Sequence, residues 1–243
     1  MRRFADLHLR PDLGDMEQAQ RMIAKAAELG YKVIAIPLSI SQLDKYKDQL
    51  QVLCRERGVD FVSRVDIKPR TSSELTRILR KIRRKVEVVG VICDSKAIAR
   101  QAAKDRRVDL LNFPADARKR FFDEAEAELA SRALASLEID ISPLITLEGP
   151  PRIRLLSTLR REVATATDYG VAIVVSSGAN EEMLMRRPLE VAALTMLFDM
   201  DRAQALDAIS KTPMSIVERN REKLSPNFVA PGIRIIKRGN DCP

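Results

Sequence analysis

A single histidine, His8, stands in this 243-residue chain, tryptophan is absent, and aromatic residues make up only 4%. Zinc and two-metal hydrolytic sites on barrels draw heavily on imidazoles, so a histidine-rich metal centre is excluded. The cysteines, at 54, 93 and 242, are odd in number and show no CxxC spacing. They support neither a disulfide framework nor a zinc knot, and the reduced cytosol is the expected compartment. No GxSxG elbow is present, and a serine triad would have to recruit His8. No apolar run reaches the length of a membrane span, and the N-terminal MRRFADLHLRPDLG carries charge where a signal peptide needs an apolar centre. The expectation is a cytoplasmic protein with no membrane partner. With so few aromatics the core must be built from Leu, Ile, Val, Ala and Met, and stacking of bases on rings is not the expected mode of any nucleic-acid contact.

What is present is a basic chain with one repeated pattern. Lys and Arg outnumber Asp and Glu by 42 to 34, a net charge of +8 that favours a polyanionic partner. Short apolar runs at 4–9, 33–38, 61–67, 88–93, 108–113, 137–141 and 171–175 read as strands. Segments of helical period lie between them, at 15–29, 41–57, 72–86, 95–106, 117–135 and 151–169. Asp15, Ser41, Ser72 and Ser95 stand at N-cap positions and Gly30, Gly58 and Gly170 just past helix ends. Seven strands, each followed by a helix, make βα units, whose right-handed crossovers imply one parallel sheet, most economically closed as an α/β barrel. After the seventh strand come three helical patterns, 188–200, 201–211 and 214–224, and a tail in which 233–237 reads as a short strand. The expected organisation is one domain, a barrel over about 1–200 and a helical extension over about 201–243 lying across its flank, with Pro213 between helices.

The βα loops of such a barrel converge on one face, so strand ends supply the site candidates. Asp6 and His8 sit two apart at the end of the first strand; Arg64, Asp66 and Lys68 alternate along the third. That alternation reads either as a salt-bridged barrel interior or as ligand binding. Asp94, Asn112, Asp116, Glu138, Asp140 and Ser142 complete a polar ring. Ser176, Ser177 and Gly178 end the seventh strand with short side chains whose backbone N–H groups are candidates for a phosphate. The basic residues are better organised. In 72–87, Leu75, Ile78, Leu79, Ile82 and Val86 form an apolar stripe opposite Arg77, Arg80, Lys81 and Arg84, with few carboxylates nearby. Those four, with Arg186 and Arg187, are the candidate RNA contacts, Arg suiting bidentate phosphate binding.

FADLHL at the start, SSGA at the last strand end, RRPLEVAALTMLFDMD and ALDAISKTPMSIVERNR together resemble the archaeal ribonuclease P protein component 3 family, relatives of the eukaryotic 30-kilodalton subunit. The resemblance runs nearly end to end and is most specific in the second half. It implies a TIM-barrel-like fold similar to PHP phosphoesterases and work as a protein subunit of ribonuclease P, which removes 5′ leaders from precursor tRNA. It also implies catalysis by the RNA, partnership with that RNA, precursor tRNA and other protein subunits, and Mg²⁺ held with the RNA. On this view Asp6, His8, Arg64, Lys68, Ser176, Ser177 and Gly178 are phosphate or partner contacts, with no catalytic residue and no metal ligand in the chain. The PHP enzymes' histidine ligands are missing here except for His8. The competing reading is a free-standing, metal-dependent barrel phosphoesterase built on Asp6, His8, Asp66 and the 176–178 loop.

Overall fold

The computed structural model describes residues 2–230 and 233–235. Cys242, Lys237, Arg238 and the last two residues of the strand expected at 233–237 lie outside them. Seven strands make one parallel sheet in sequence order: β1 (Ala5–Asp6), β2 (Val33–Leu38), β3 (Asp60–Ile67), β4 (Val88–Ile92), β5 (Leu110–Asn112), β6 (Ser136–Asp140) and β7 (Ile173–Ser176). The sheet curls into a nearly closed barrel whose seam lies between β1 and β7. Across the seam the Ser177 N–H donates to Asp6 Oδ1 at 3.0 Å and the Arg10 N–H to the Ala179 carbonyl at 2.8 Å. β1 has a ladder on one side only, which accounts for its two paired residues where the apolar run spans six.

Helices α1 (Met16–Leu29), α2 (Ile40–Glu56), α3 (Ser72–Ile82), α4 (Lys96–Ala103), α5 (Glu124–Ala133), α6 (Ser142–Thr146) and α7 (Gly149–Asp168) occupy the crossovers. Their starts follow local hydrogen bonding. Asp15 caps α1, Thr71 rather than Ser72 caps α3 by accepting from the Glu74 N–H at 3.1 Å, and Ser39 rather than Ser41 heads α2. The helix expected over 117–135 is broken. Arg120 is extended and reaches Glu162 and the carbonyls of Phe113 and Pro114, so a 3₁₀ turn at Ala117–Lys119 ends before it and α5 restarts under an Asp123 cap.

After β7 come α8 (Pro188–Thr195), α9 (Arg202–Ala208), α10 (Lys211–Leu224) and a small antiparallel pair, β8 (Phe228–Ala230) and β9 (Ile233–Arg234). Two expectations are corrected here. Pro213 lies inside the first turn of α10, where a missing N–H costs no intrahelical bond. And α10 does not lie across the flank. It closes the N-terminal mouth of the barrel, with Met214, Ile216 and Val217 packed on Ala5, Leu7, Val33, Ala35, Val62, Val88, Leu110 and Val174. Polar contacts seat it there: Asn220 Nδ2 donates to the Glu87 carbonyl and to Asp109 Oδ1, both at 2.8 Å, and Arg221 grips Asp60.

The interior is therefore layered. Toward the strand N-termini it is apolar and plugged by α10; toward their C-termini the same alternation brings in Arg64, Asp66, Asn112, Glu138, Asp140 and Ser176. Among the described residues no helix is long and apolar enough to cross a membrane.

Candidate functional site

Arg64 sits at the centre of the polar layer with none of its surface exposed. It projects from β3 between two carboxylates. Nη1 and Nη2 each donate to one oxygen of Glu138 at 2.6 Å, Nε donates to Asp66 Oδ1 at 2.7 Å, and Nη1 also reaches the Leu7 carbonyl at 2.6 Å. A buried guanidinium is tolerable only with its donors engaged in this way. The neighbouring strand makes room for the pair, because a Cβ on Gly90 would lie 2.4 Å from Asp66 Oδ1 and 3.0 Å from Arg64 Nη2.

His8, 3% exposed, is held in the same layer by carboxylates on both ring nitrogens. Nε2 lies 3.0 Å from Asp66 Oδ2 and Nδ1 lies 2.8 Å from Asp140 Oδ1. Burial and the nearby Arg64 charge both push the imidazole toward neutrality, yet Asp140, Asp66 and Glu138 together prevail and raise its pKa to about 10. Burial would raise Asp66; Arg64 and His8 outweigh it and hold that carboxyl well below the usual range. Asp140 is lowered against the same burial by His8, by the amide of Asn112 and by Arg64. Asn112 Nδ2 bridges Glu138 and Asp140 at 3.0 and 3.1 Å, and Ser176 Oγ donates to Glu138 Oε1 at 2.8 Å. Asp6 differs. Its Oδ1 accepts from the Ser177 and His8 N–H groups, its Oδ2 has no partner, and burial raises its pKa in spite of those bonds.

His8, Glu138 and Asp140 come close enough for their donor atoms to surround one cation. Their chemistry does not fit a divalent ion. Both ring nitrogens of His8 are already paired with carboxylates, Asp66 and Asp140, and Glu138 is occupied by Arg64, Asn112 and Ser176, so an ion would have to displace the Arg64 pair to find its ligands. The guanidinium supplies the positive charge that a metal would otherwise provide.

The sequence-derived candidates therefore separate. Asp6, His8, Arg64, Ser176 and Ser177 are brought together as an internal network, which corrects their reading as phosphate or partner contacts: all are buried, Asp6 accepting from the His8 and Ser177 N–H groups and Arg64 and Ser176 both donating to Glu138. Two backbone donors of the 176–179 segment are already engaged within the protein. The Ser177 N–H is taken by Asp6 and the Ala179 N–H by Ser177 Oγ, and Gly178, at φ 61°, is required because a Cβ would meet Asp140 Cβ at 2.7 Å. Lys68 alone of that group is free to reach outward, its side chain 70% exposed and 3.9 Å from Asp94. Arg77, Arg80 and Lys81 on α3, and Arg84 in the turn that follows because the helix expected over 72–86 ends at Ile82, are all exposed and without an ion pair among the described residues, opposite buried Leu75, Leu79 and Ile82. Arg187 is exposed, whereas Arg186 is half-buried and tied to the carbonyls of Met183 and Met185.

Comparison with known proteins agrees with this architecture. The family model described as RNase P subunit p30 matches residues 3–225. Ribonuclease P protein component 3 of Methanosarcina barkeri is 32% identical over 220 residues, 90% of each chain. Among solved structures, a chain of an archaeal ribonuclease P with mature tRNA superposes with a TM-score of 0.84 at 22% identity, over 97% of this chain and all of that one. An amidohydrolase superposes at 0.59 and 10% identity, over 91% of this chain and 75% of its own, a likeness of fold.

Proposed function

The chain belongs to the RNase P subunit p30 family, and from that premise we propose that it acts in ribonuclease P by holding RNA and neighbouring protein subunits in place, leaving cleavage of the 5′ leader to the catalytic RNA. The observation that carries this reading is the internal ion-pair network: the groups at the position where a barrel hydrolase works are neutralised by one another, with Arg64 at their centre. Among the described residues of that layer, the carboxylates of Asp66, Glu138 and Asp140 are all engaged by Arg64, His8 or Asn112, and Asp6 keeps one unpartnered oxygen whose burial raises its pKa. Mg²⁺ is then held with the RNA, whose phosphates suit an ion that keeps most of its waters. The chain's part is positional. Exposed cations at Arg77, Arg80, Lys81, Arg84 and Arg187 reduce repulsion between phosphates and fix the register of the folded RNA against the barrel.

The decisive assay offers precursor tRNA and a simple phosphate ester to the purified protein with Mg²⁺ or Mn²⁺, then adds the catalytic RNA and companion proteins. Leader removal is expected only in the full mixture. Turnover by the protein alone that disappears in Asp66→Asn or His8→Ala overturns the reading in favour of a free-standing phosphoesterase.

A further inference from the structure

The N-terminal mouth of the barrel carries a second basic surface. A cavity of about 970 Å³ opens there between the second half of α2, the starts of β3 and β4, and the end of α10. Seven cationic side chains line it against two carboxylates, Asp60 and Glu87. Both carboxylates are claimed by one of the seven. Arg221 holds Asp60 bidentately at 2.7 and 2.9 Å and Glu87 at 2.5 Å. Arg2 is drawn to Asp207 at 2.6 Å, and Arg3 reaches Asp60 only at 3.6 Å. Lys32, Lys47, Arg55 and Lys85 have no ion-pair partner among the described residues.

Helix ends explain part of this charge. Lys32 and Lys85 follow α1 and α3, and Arg55 lies in the last turn of α2, where cations offset the helix dipole. Three helix C-termini amount to roughly 1.5 negative charges. Four unpaired cations exceed that, so the cleft stays positive before Arg3 is counted. Phe61 is the one aromatic in the lining and is itself buried, so no ring is presented to a base. Fixed cations without a stacking platform suit a phosphate backbone read without regard to sequence. Lys85 follows Arg84 directly in the turn after α3.

We propose that this cleft binds the sugar–phosphate backbone of a structured RNA, through Lys32, Arg55 and Lys85 as the free contacts, with Arg221 engaging the two carboxylates of its wall, Asp60 and Glu87. The proposal rests on the ribonuclease P subunit reading and adds to it a contact surface on the face of the barrel opposite the ion-pair layer.

The test compares the full chain with Lys32→Gln/Arg55→Gln/Lys85→Gln and with Arg77→Gln/Arg80→Gln/Lys81→Gln/Arg84→Gln. Binding to the catalytic RNA and to a precursor tRNA is measured separately from 50 to 200 mM salt, after thermal unfolding has confirmed that each variant is folded. Each phosphate contact contributes about 0.7 to 0.9 to the salt slope, so the triple variant should flatten it by roughly 2 to 3. Over that fourfold salt range its affinity should fall about 20- to 40-fold less than that of the parent. The RNA for which the slope changes is the one the cleft holds. Unchanged slopes in the triple variant, with a flattened slope in the α3 variant, overturn the cleft and leave the subunit reading standing. A parent that binds neither RNA overturns both. Normal RNA binding by the triple variant combined with loss of a companion protein from the assembled particle replaces the RNA with an acidic protein surface.

Discussion

Protonation of His8 is the point at which one residue's environment becomes measurable. Flanked by Asp66 and Asp140, its imidazolium persists in the folded protein to about pH 10, against an ordinary value of 6.5. The folded state therefore binds a proton that the unfolded chain releases between those two values. The stabilisation is complete below about pH 6.5, declines as pH rises, and is gone above about 10. Chemical unfolding between pH 6 and 10 should show the parent losing on the order of 1.4 kcal/mol per pH unit relative to His8→Gln. Parallel curves for the two proteins would mean that the ring is neutral and its carboxylate partners are paired elsewhere. Gly90 belongs to the same scale of argument. Its missing side chain lets Asp66 and Arg64 lie against β4, so a glycine inside a strand is here a steric condition of the ion pair.

At the scale of the element, α3 is the clearest separation of stability from binding. Arg77, Arg80, Lys81 and Arg84 are exposed and unpaired, so changing all four to Gln should alter stability by no more than about 0.5 kcal/mol per site while weakening RNA affinity and flattening its salt dependence. Equal affinity and slope would leave the face merely solvated. The helix itself was legible in advance from its stripe of Leu75, Leu79 and Ile82, though its cap falls one residue earlier, at Thr71, and it ends at Ile82 short of the expected 86. All seven strands were legible for a similar reason: each is an apolar run bounded by helix punctuation. The seating of α10 was not. Its pattern of Met214, Ile216 and Val217 says that one face is buried, but which surface it covers depends on Asp109 and Glu87, more than a hundred residues away. The ladder at Arg64 and Asp66 likewise left two readings open until Glu138, from a strand 74 residues on, supplied the partner that made it internal. The basic cleft was illegible in a different way. Apart from Lys85, which closes the basic run at 77–85, its free cations come from separate connections and helices, so the run points to α3 and gives no sign that Lys32 and Arg55 share a cleft with its end.

At the scale of the whole molecule, the last two helices of the chain are part of the barrel and not an appendage to it. Ile209, Ile216 and Val217 are almost wholly buried, the first among the outer core and the others in the mouth of the barrel, and the Ala5 N–H donates to the Ile209 carbonyl at 2.9 Å. Burying side chains of this size contributes about 1.5 to 3 kcal/mol each, so the three together supply roughly 5 to 9 kcal/mol. A domain of ordinary stability has about 5 to 15 kcal/mol in all. Removing them would also expose Leu7, Val33, Val62 and Val88 to water and leave Asp109 and Glu87 without their α10 partners. A chain ending at residue 200 is therefore expected not to fold cooperatively, despite retaining all seven strands of the barrel. Circular dichroism and urea titration check this directly. A sigmoidal unfolding transition in the shortened chain, with a slope proportionate to its length, would show that the barrel stands alone and that α9 and α10 only dock on it.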